Sequence, residues 1–154
     1  ATVMLVDPFA FKRDIAGRCG IHYTADPGAA NLEEVIREHN GGERADVVVE
    51  AAGAAESLAQ SVTLARKGGT ILAIGFTAQP EDRISLTLIT IRELRFLGSV
   101  IYCGDYPRAI GLVEQGQIKL EPLMTASSTL EETEQAIKTV IEHKDRNIKS
   151  MIRP

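Results

Sequence analysis

The chain has 154 residues, 44% of them hydrophobic and 25% charged, with seventeen basic against twenty-one acidic side chains and a net charge of −4. Those proportions suit a soluble globular domain able to bury roughly 70% of its unfolded surface. They exclude a nucleic-acid groove and a polybasic membrane anchor. No apolar run approaches the roughly 18 residues of a membrane span, and no signal-peptide pattern is read at the start. Two cysteines without metal-ligand spacing are too few for a disulfide framework and fit a reducing, cytoplasmic compartment.

Thr2 to Val6 is a short, β-branched apolar run that stops at Asp7-Pro8. Phe11, Ile15 and Cys19 recur at helical spacing, with Gly20 as the stop. Ile21 to Tyr23 reads as a second strand, and Leu32, Val35, Ile36 and His39 as an amphipathic helix closed by Asn40-Gly41-Gly42. Asp46 to Glu50 is a third strand; Leu58, Val62 and Ala65 give a helix ended by Gly68-Gly69; Thr70 to Gly75 is a fourth strand. Leu86 to Glu93 reads as a short helix, Arg95 to Ile101 as a fifth strand, and Ala109, Ile110 and Val113 as a helix stopped by Gly116. Ser128 and Thr129, each followed three residues later by Glu131 or Glu132, predict a capping box for a helix carrying Ile137, Val140 and Ile141. Ile148 to Ile152 closes the chain as a strand, and the rhythm breaks from about Ile118 onward.

Strands such as VVV and ILAI are apolar without alternation, as strands covered by helices on both faces are. Alternating strand and helix at this spacing predicts right-handed βαβ units, hence an α/β fold with a doubly wound parallel sheet.

Asp7 follows a strand directly and precedes a helix. Such an acid either accepts hydrogen bonds from an adenosine ribose, which favours NAD over NADP, or caps the helix that follows. The Gly-rich turn G-x-G-x-x-G that should precede such a strand is absent from the sequence. The nucleotide-binding reading therefore expects a first strand and glycine turn ahead of Ala1, and weak or no NAD binding by the isolated chain. Ala51-Ala52-Gly53 and Ile74-Gly75-Phe76 put small residues at the ends of neighbouring strands, where they admit a flat ligand or simply allow tight turns. His22, His39 and His143 are scattered without metal spacing. Cys19 reads as a small hydrophobe and Cys103 as a loop residue; neither has a base nearby in sequence. No catalytic residue and no metal ligand is assigned.

The strings VDPFAFKRDIAGRCG, ADVVVEAAGAAESLAQSVTLARKGGTILAIGF, ELRFLGSVIYCGDYPRAIGLVEQGQIKLEPLMT and NIKSMIRP, in that order, resemble the medium-chain zinc-dependent alcohol and polyol dehydrogenases. The tail is most similar to their sorbitol and threonine dehydrogenase branch. The resemblance implies a Rossmann-type sheet lacking its first strand over residues 1–117, and over 118–154 a segment that packs with a catalytic domain. It implies NAD as cofactor and hydride transfer from a small alcohol substrate. It places zinc in the parent enzyme on ligands outside this chain, leaves this segment alone inactive, and raises a homo-oligomer as a family-level expectation. Residue by residue, it gives Asp7 the adenosine ribose with Lys12 beside it, Ala51 and Ala52 the ribose path, and Lys149 the pyrophosphate. Ile74, Gly75, Phe76, Val100 and Ile101 fall to the nicotinamide side, and Tyr102 to the substrate. Ile101 stands where that branch often has Arg, and Met124-Thr125-Ala126 where Thr-His is common. Two alternatives stay open: a non-catalytic nucleotide-binding module and, ranked last, a methyltransferase-like domain suggested by Lys67-Gly68-Gly69-Thr70 ahead of a strand.

Overall fold

The structure, a computed structural model, describes residues 1–76, 84–102 and 104–154, so Cys103 and its expected loop lie outside the described residues. The chain divides into two compact units, one of Ala1–Ala30 with the described part of Cys103–Pro154, the other of Asn31–Tyr102.

The first unit begins with strand β1 (Met4–Val6), helix α1 (Ala10–Arg18) and strand β2 (Tyr23–Ala25). The two strands pair in parallel, Met4 opposite Tyr23 and Val6 opposite Ala25. Helix α1 turns Ile15 and Ala16 inward, where both are buried. Strand β2 starts two residues later than the sequence predicts, because Ile21 still belongs to the helix end. Gly20 adopts a left-handed φ of +92°, and the Ile21 N–H turns back to the Ala16 carbonyl at 3.0 Å. His22 Nδ1 accepts from the Val3 N–H at 3.2 Å, a side chain taking the place of a strand rung.

The second unit holds α2 (Leu32–His39), β3 (Ala45–Glu50), α3 (Ala55–Leu64), β4 (Ala65–Ala73), α4 (Leu86–Ile91) and β5 (Arg95–Gly98). Its three strands lie in the order β3-β4-β5, all parallel. Val48, Ile71 and Phe96 stand side by side in register and share one face with Glu50. That face meets α3 and α4 around a core of Val62, Ala65, Ile71 and Leu94. The opposite face carries Val47, Val49 and Leu97, all exposed. The Arg92 guanidinium donates to the Val62 and Thr63 carbonyls at 2.7 and 3.0 Å, satisfying acceptors that the end of α3 leaves open.

Gly68-Gly69 does not end a helix. Helix α3 stops at Leu64 because Ala65 turns extended and pairs with Ala45, so β4 is already under way. Register then jumps from Ala65 opposite Ala45 to Thr70 opposite Val47, and the residues between bulge out. Gly68 supplies the bulge with a φ of +71°, and a Cβ at Gly69 would meet the Arg66 carbonyl oxygen at 2.8 Å. The Arg66–Asp46 pair at 2.6 Å fastens it. Strand β5 also ends earlier than expected. The Ser99 N–H still reaches the Ala73 carbonyl at 3.0 Å, but Ile101 has a φ of +58°, a left-handed conformation that breaks any strand.

The remainder of the first unit contains α5 (Tyr106–Glu114), a single 3₁₀ turn (Glu121–Leu123), β6 (Met124–Thr129), α6 (Thr133–Glu142) and β7 (Lys149–Arg153). Strands β6 and β7 pair in parallel across α6, so the βαβ pattern continues where the sequence predicts a break. Ser128 and Thr129 are strand residues rather than the first cap of a helix. Half of the capping box forms nonetheless, since the Glu132 carboxylate accepts the Thr129 N–H at 3.0 Å. Thr125 sits at the register shift of the pair, donating to Asn147 Oδ1 at 2.9 Å and accepting from the Ile148 N–H at 3.0 Å.

Candidate functional site

In parallel α/β units, ligands bind beyond the carboxyl ends of the strands. In the first unit Asp7 follows β1 and Asp26 follows β2; in the second, β3 closes in Glu50. In the first unit, Asp7 lies immediately past β1, its N–H still bonded to the Ala25 carbonyl at 3.2 Å. Its Oδ1 accepts the Phe9 N–H at 2.8 Å, an Asx turn that leads into α1. Its Oδ2 stands 4.0 Å from Lys12 Nζ, with 24% of the Asp7 side chain and 29% of the Lys12 side chain exposed. The ammonium also lies 5.0 Å over the Phe9 ring, which holds it in place. Arg13 is committed elsewhere: it donates to the Asp7 carbonyl at 2.6 Å and pairs with Asp26 at 3.2 Å. Asp7 thus does the helix-entry work with one oxygen and keeps the other beside a cation in a partly exposed side chain.

In the second unit, β3 ends in Glu50, whose residue is only 5% exposed. Its Oε1 accepts three donors: the Ala52 N–H at 2.9 Å, the Gly53 N–H at 3.0 Å and the Ser57 hydroxyl at 2.7 Å. Its main-chain carbonyl accepts the Ile74 and Gly75 N–H groups, both at 2.9 Å. The Ala51–Gly53 turn and the Ile74–Phe76 strand end therefore touch. A Cβ at Gly53 would fall 2.5 Å from the Phe76 carbonyl oxygen, and one at Gly75 would collide with Glu50 Oε2 and the Gly53 nitrogen. Only glycine fits at either place. Beneath the turn lies a cleft of about 250 Å³ walled by Glu50, Ala54, Leu58, Gly75, Ile84 and Phe96.

The structure brings Ala51 and Ala52 together with Ile74, Gly75 and Phe76, and Asp7 together with Lys12. Phe76 is 89% exposed and Ile101 82% exposed, and Val100 and Tyr102 also present most of their surface to solvent. These last three follow β5 beyond the same carboxyl edge of the sheet as Phe76. Lys149 is an exposed residue of β7 in the first unit. Sequence reasoning passed over Glu50. Its signal was present: an acid closing an otherwise apolar strand, directly ahead of Ala-Ala-Gly.

Each strand end, taken by itself, suits part of a nucleotide: the partly exposed Asp7 carboxylate can accept ribose hydroxyls, and in the other unit a turn of small residues lets a sugar approach the backbone. A metal ion is different. Among the described residues no group of three or more His, Cys, Asp or Glu could hold one.

Comparison with known proteins gives the arrangement its context. A family profile described as zinc-binding dehydrogenase matches residues 1–115. The chain is 30% identical to the D-xylulose reductase of Saccharomyces cerevisiae over 157 aligned residues, which cover 99% of this chain and 44% of that protein. It is 30% identical to a sorbitol dehydrogenase of Halalkalibacterium halodurans over 122 residues, 79% of this chain and 36% of that one. Among solved structures, a candidate zinc-binding dehydrogenase of Sinorhizobium meliloti 1021 bound to NADP superposes with a TM-score of 0.87 at 34% identity, covering all (100%) of this chain and 45% of that one. The 2R,3R-butanediol dehydrogenase of Bacillus subtilis shares the fold, with a TM-score of 0.88 at 20% identity over 100% of this chain and 44% of that one. The chain thus spans a little under half the length of the relatives it matches over nearly its whole extent.

Proposed function

The chain belongs to the zinc-binding dehydrogenase family, and from that premise we propose that it supplies the cofactor-binding part of an oxidoreductase that moves a hydride between a secondary alcohol or polyol and NAD. The observation that carries this reading is Asp7, a partly exposed carboxylate past the end of a parallel strand with one oxygen committed to the helix and the other beside Lys12. The bound nicotinamide cofactor supplies the hydride acceptor; the chain's own residues bind and orient it. Asp7 accepts the adenosine ribose hydroxyls, and Lys12 balances its charge. A phosphate at the 2′ position would meet the Asp7 carboxylate directly, and this repulsion supports NAD over NADP even though the Sinorhizobium structure is bound to NADP.

In the same reading Ala51 and Ala52 line the ribose path, and Ile74, Gly75, Phe76, Val100 and Ile101 lie along the nicotinamide. Lys149 reaches the pyrophosphate, and Tyr102 faces the substrate. Residues 1–117 form the nucleotide-binding part and 118–154 pack with the catalytic part. The names of the relatives, a xylulose reductase and a sorbitol dehydrogenase, support a small polyol as substrate. No helix of the described residues is long and apolar enough to cross a membrane, and the proposal places the protein in the cytoplasm as a homo-oligomer. Family membership leaves the methyltransferase alternative without support.

The test uses the protein expressed from its complete reading frame, with reduced nicotinamide followed by its absorbance against a panel of secondary alcohols and polyols. Reduction of NAD is expected, with NADP much poorer. Asp7→Ala is expected to lower kcat/KM for NAD by about tenfold or more, the loss of one charge-assisted hydrogen bond or two, while leaving NADP little changed. A wild-type preference for NADP, or oxidation of none of the panel, overturns the reading.

A further inference from the structure

Nothing in the proposed function uses the buried carboxylate of Glu50, yet more polar contacts converge on it than on any other site residue described above. We infer that Glu50 is a positioning residue, a clasp that fixes the Ala51–Gly53 turn against the Ile74–Phe76 strand end so that both meet a bound dinucleotide in one geometry. The inference rests on the cofactor-binding reading and adds to it a residue that touches no ligand.

The geometry carries the argument. Oε1 gathers two adjacent main-chain N–H groups and one hydroxyl at 2.7–3.0 Å, the pattern of an anion held in a backbone nest. The Ser57 hydroxyl shares its one proton between Glu50 Oε1 at 2.7 Å and the Ala54 carbonyl at 2.9 Å, at the start of α3. Glu50 therefore ties the turn to the helix through its side chain and to β4 through its main chain, where Ile74 and Gly75 donate. Oε2 faces the Gly75 backbone so closely that no side chain fits there. A carboxylate at this depth needs hydrogen-bond partners, and those of Oε1 come from the turn and helix expected to face the cofactor. Glu50 cannot be replaced by a residue that merely fills space, because the Ala52 and Gly53 N–H groups would then be left without their acceptor.

A merely structural carboxylate would change stability alone, whereas a positioning one changes cofactor affinity in protein that is still folded. The test compares Glu50→Gln and the milder Ser57→Ala with wild type in the protein from its complete reading frame. Three quantities are read: thermal unfolding, amide hydrogen exchange at Ala52 and Gly53, and the dissociation constant for NAD measured well below the unfolding temperature. Expected are faster exchange at both amides in either variant and an NAD dissociation constant raised about tenfold in Glu50→Gln and about threefold in Ser57→Ala, with lost order in the turn paid at binding. Unchanged exchange in both variants overturns the clasp. Faster exchange with unchanged NAD affinity overturns the positioning role and leaves the cofactor reading standing. Wild-type protein that binds no dinucleotide fails the cofactor reading itself, a result visible before any variant is made. If Glu50→Gln does not fold, Ser57→Ala decides, because it removes one donor and leaves the carboxylate with the other two.

Discussion

Among the carboxylates at strand ends of this chain, the fold treats Asp7 and Glu50 in opposite ways. Glu50, last residue of β3, is buried and met by three donors on one oxygen. Asp7, one residue past β1, keeps a quarter of its side chain exposed, takes one backbone donor and leaves its other oxygen 4.0 Å from Lys12. The chemical group and the topological place are the same. What differs is the chain that follows: Ala-Ala-Gly curls back over Glu50, while Pro8-Phe9 leads Asp7 straight into α1. A strand-end acid is thus a framework element or a ligand contact according to whether the next turn supplies donors to it.

Truncation should separate the two most sharply. Glu50→Ala strips the acceptor from two N–H groups and a hydroxyl inside the unit and is expected to destabilise it by about 3 kcal/mol, a drop of roughly 10 °C in Tm. Asp7→Ala loses only an exposed Asx turn and is expected to cost about 1 kcal/mol, its larger effect falling on cofactor preference. Thermal unfolding of both variants checks this; equal losses would erase the distinction between the two sites.

Gly75→Ala probes the same contrast from the opposite side, by adding an atom. The new Cβ would press on Glu50 Oε2 and the Gly53 nitrogen, and because both belong to the clasp neither can yield without breaking it. An overpacking loss of about 2 kcal/mol is expected, against almost none for Gly98→Ala on the neighbouring strand, where a Cβ meets nothing within 4 Å. Denaturant unfolding of the pair is the measurement, and a comparable effect at both glycines would show that crowding at Gly75 is relieved elsewhere.

Much of this was legible from the residues. The parallel α/β pattern, the helix at residues 32–39 and the strand-end position of Asp7 follow from apolar runs and stop signals that local chemistry enforces. The misses have a common cause in contacts distant along the chain. Gly68-Gly69 resembles a helix stop, but Ala65 is captured by Ala45, some twenty residues away, and the glycines become a bulge. Strand β6, Met-Thr-Ala-Ser-Ser-Thr, has no apolar run to announce it and forms because β7 lies alongside. Glu50 hid for a similar reason: its value depends on Gly75, whose role as the floor of the clasp shows only when β3 and β4 are side by side.

A third acid, Glu33, marks the weak end of the comparison. It lies in the first turn of α2, on the surface, where Arg44 at 2.6 Å and Arg37 at 3.1 Å converge on one carboxylate oxygen. Hydrogen bonding to Arg44, and secondarily its charge and that of Arg37, holds the Glu33 carboxyl below its ordinary 4.5. Because the folded form keeps the proton off more readily than the unfolded chain, the contribution is complete above the unfolded value and is lost as pH falls through the folded one. Acidification from about 4.5 downward should therefore erode stability, and Glu33→Gln should flatten that part of the profile while lowering stability near neutrality by the same amount, a small one because exposed pairs contribute little. Arg44 sharpens the case: its Nε is buried with no partner among the described residues, so its terminal nitrogen on Glu33 is what orders it. Unfolding of the two proteins from pH 7 to 3 distinguishes the outcomes, and parallel profiles would mean that the other carboxyls held low, Asp46 by Arg66 and Glu131 by its backbone and Thr129 hydrogen bonds, carry the acid response instead.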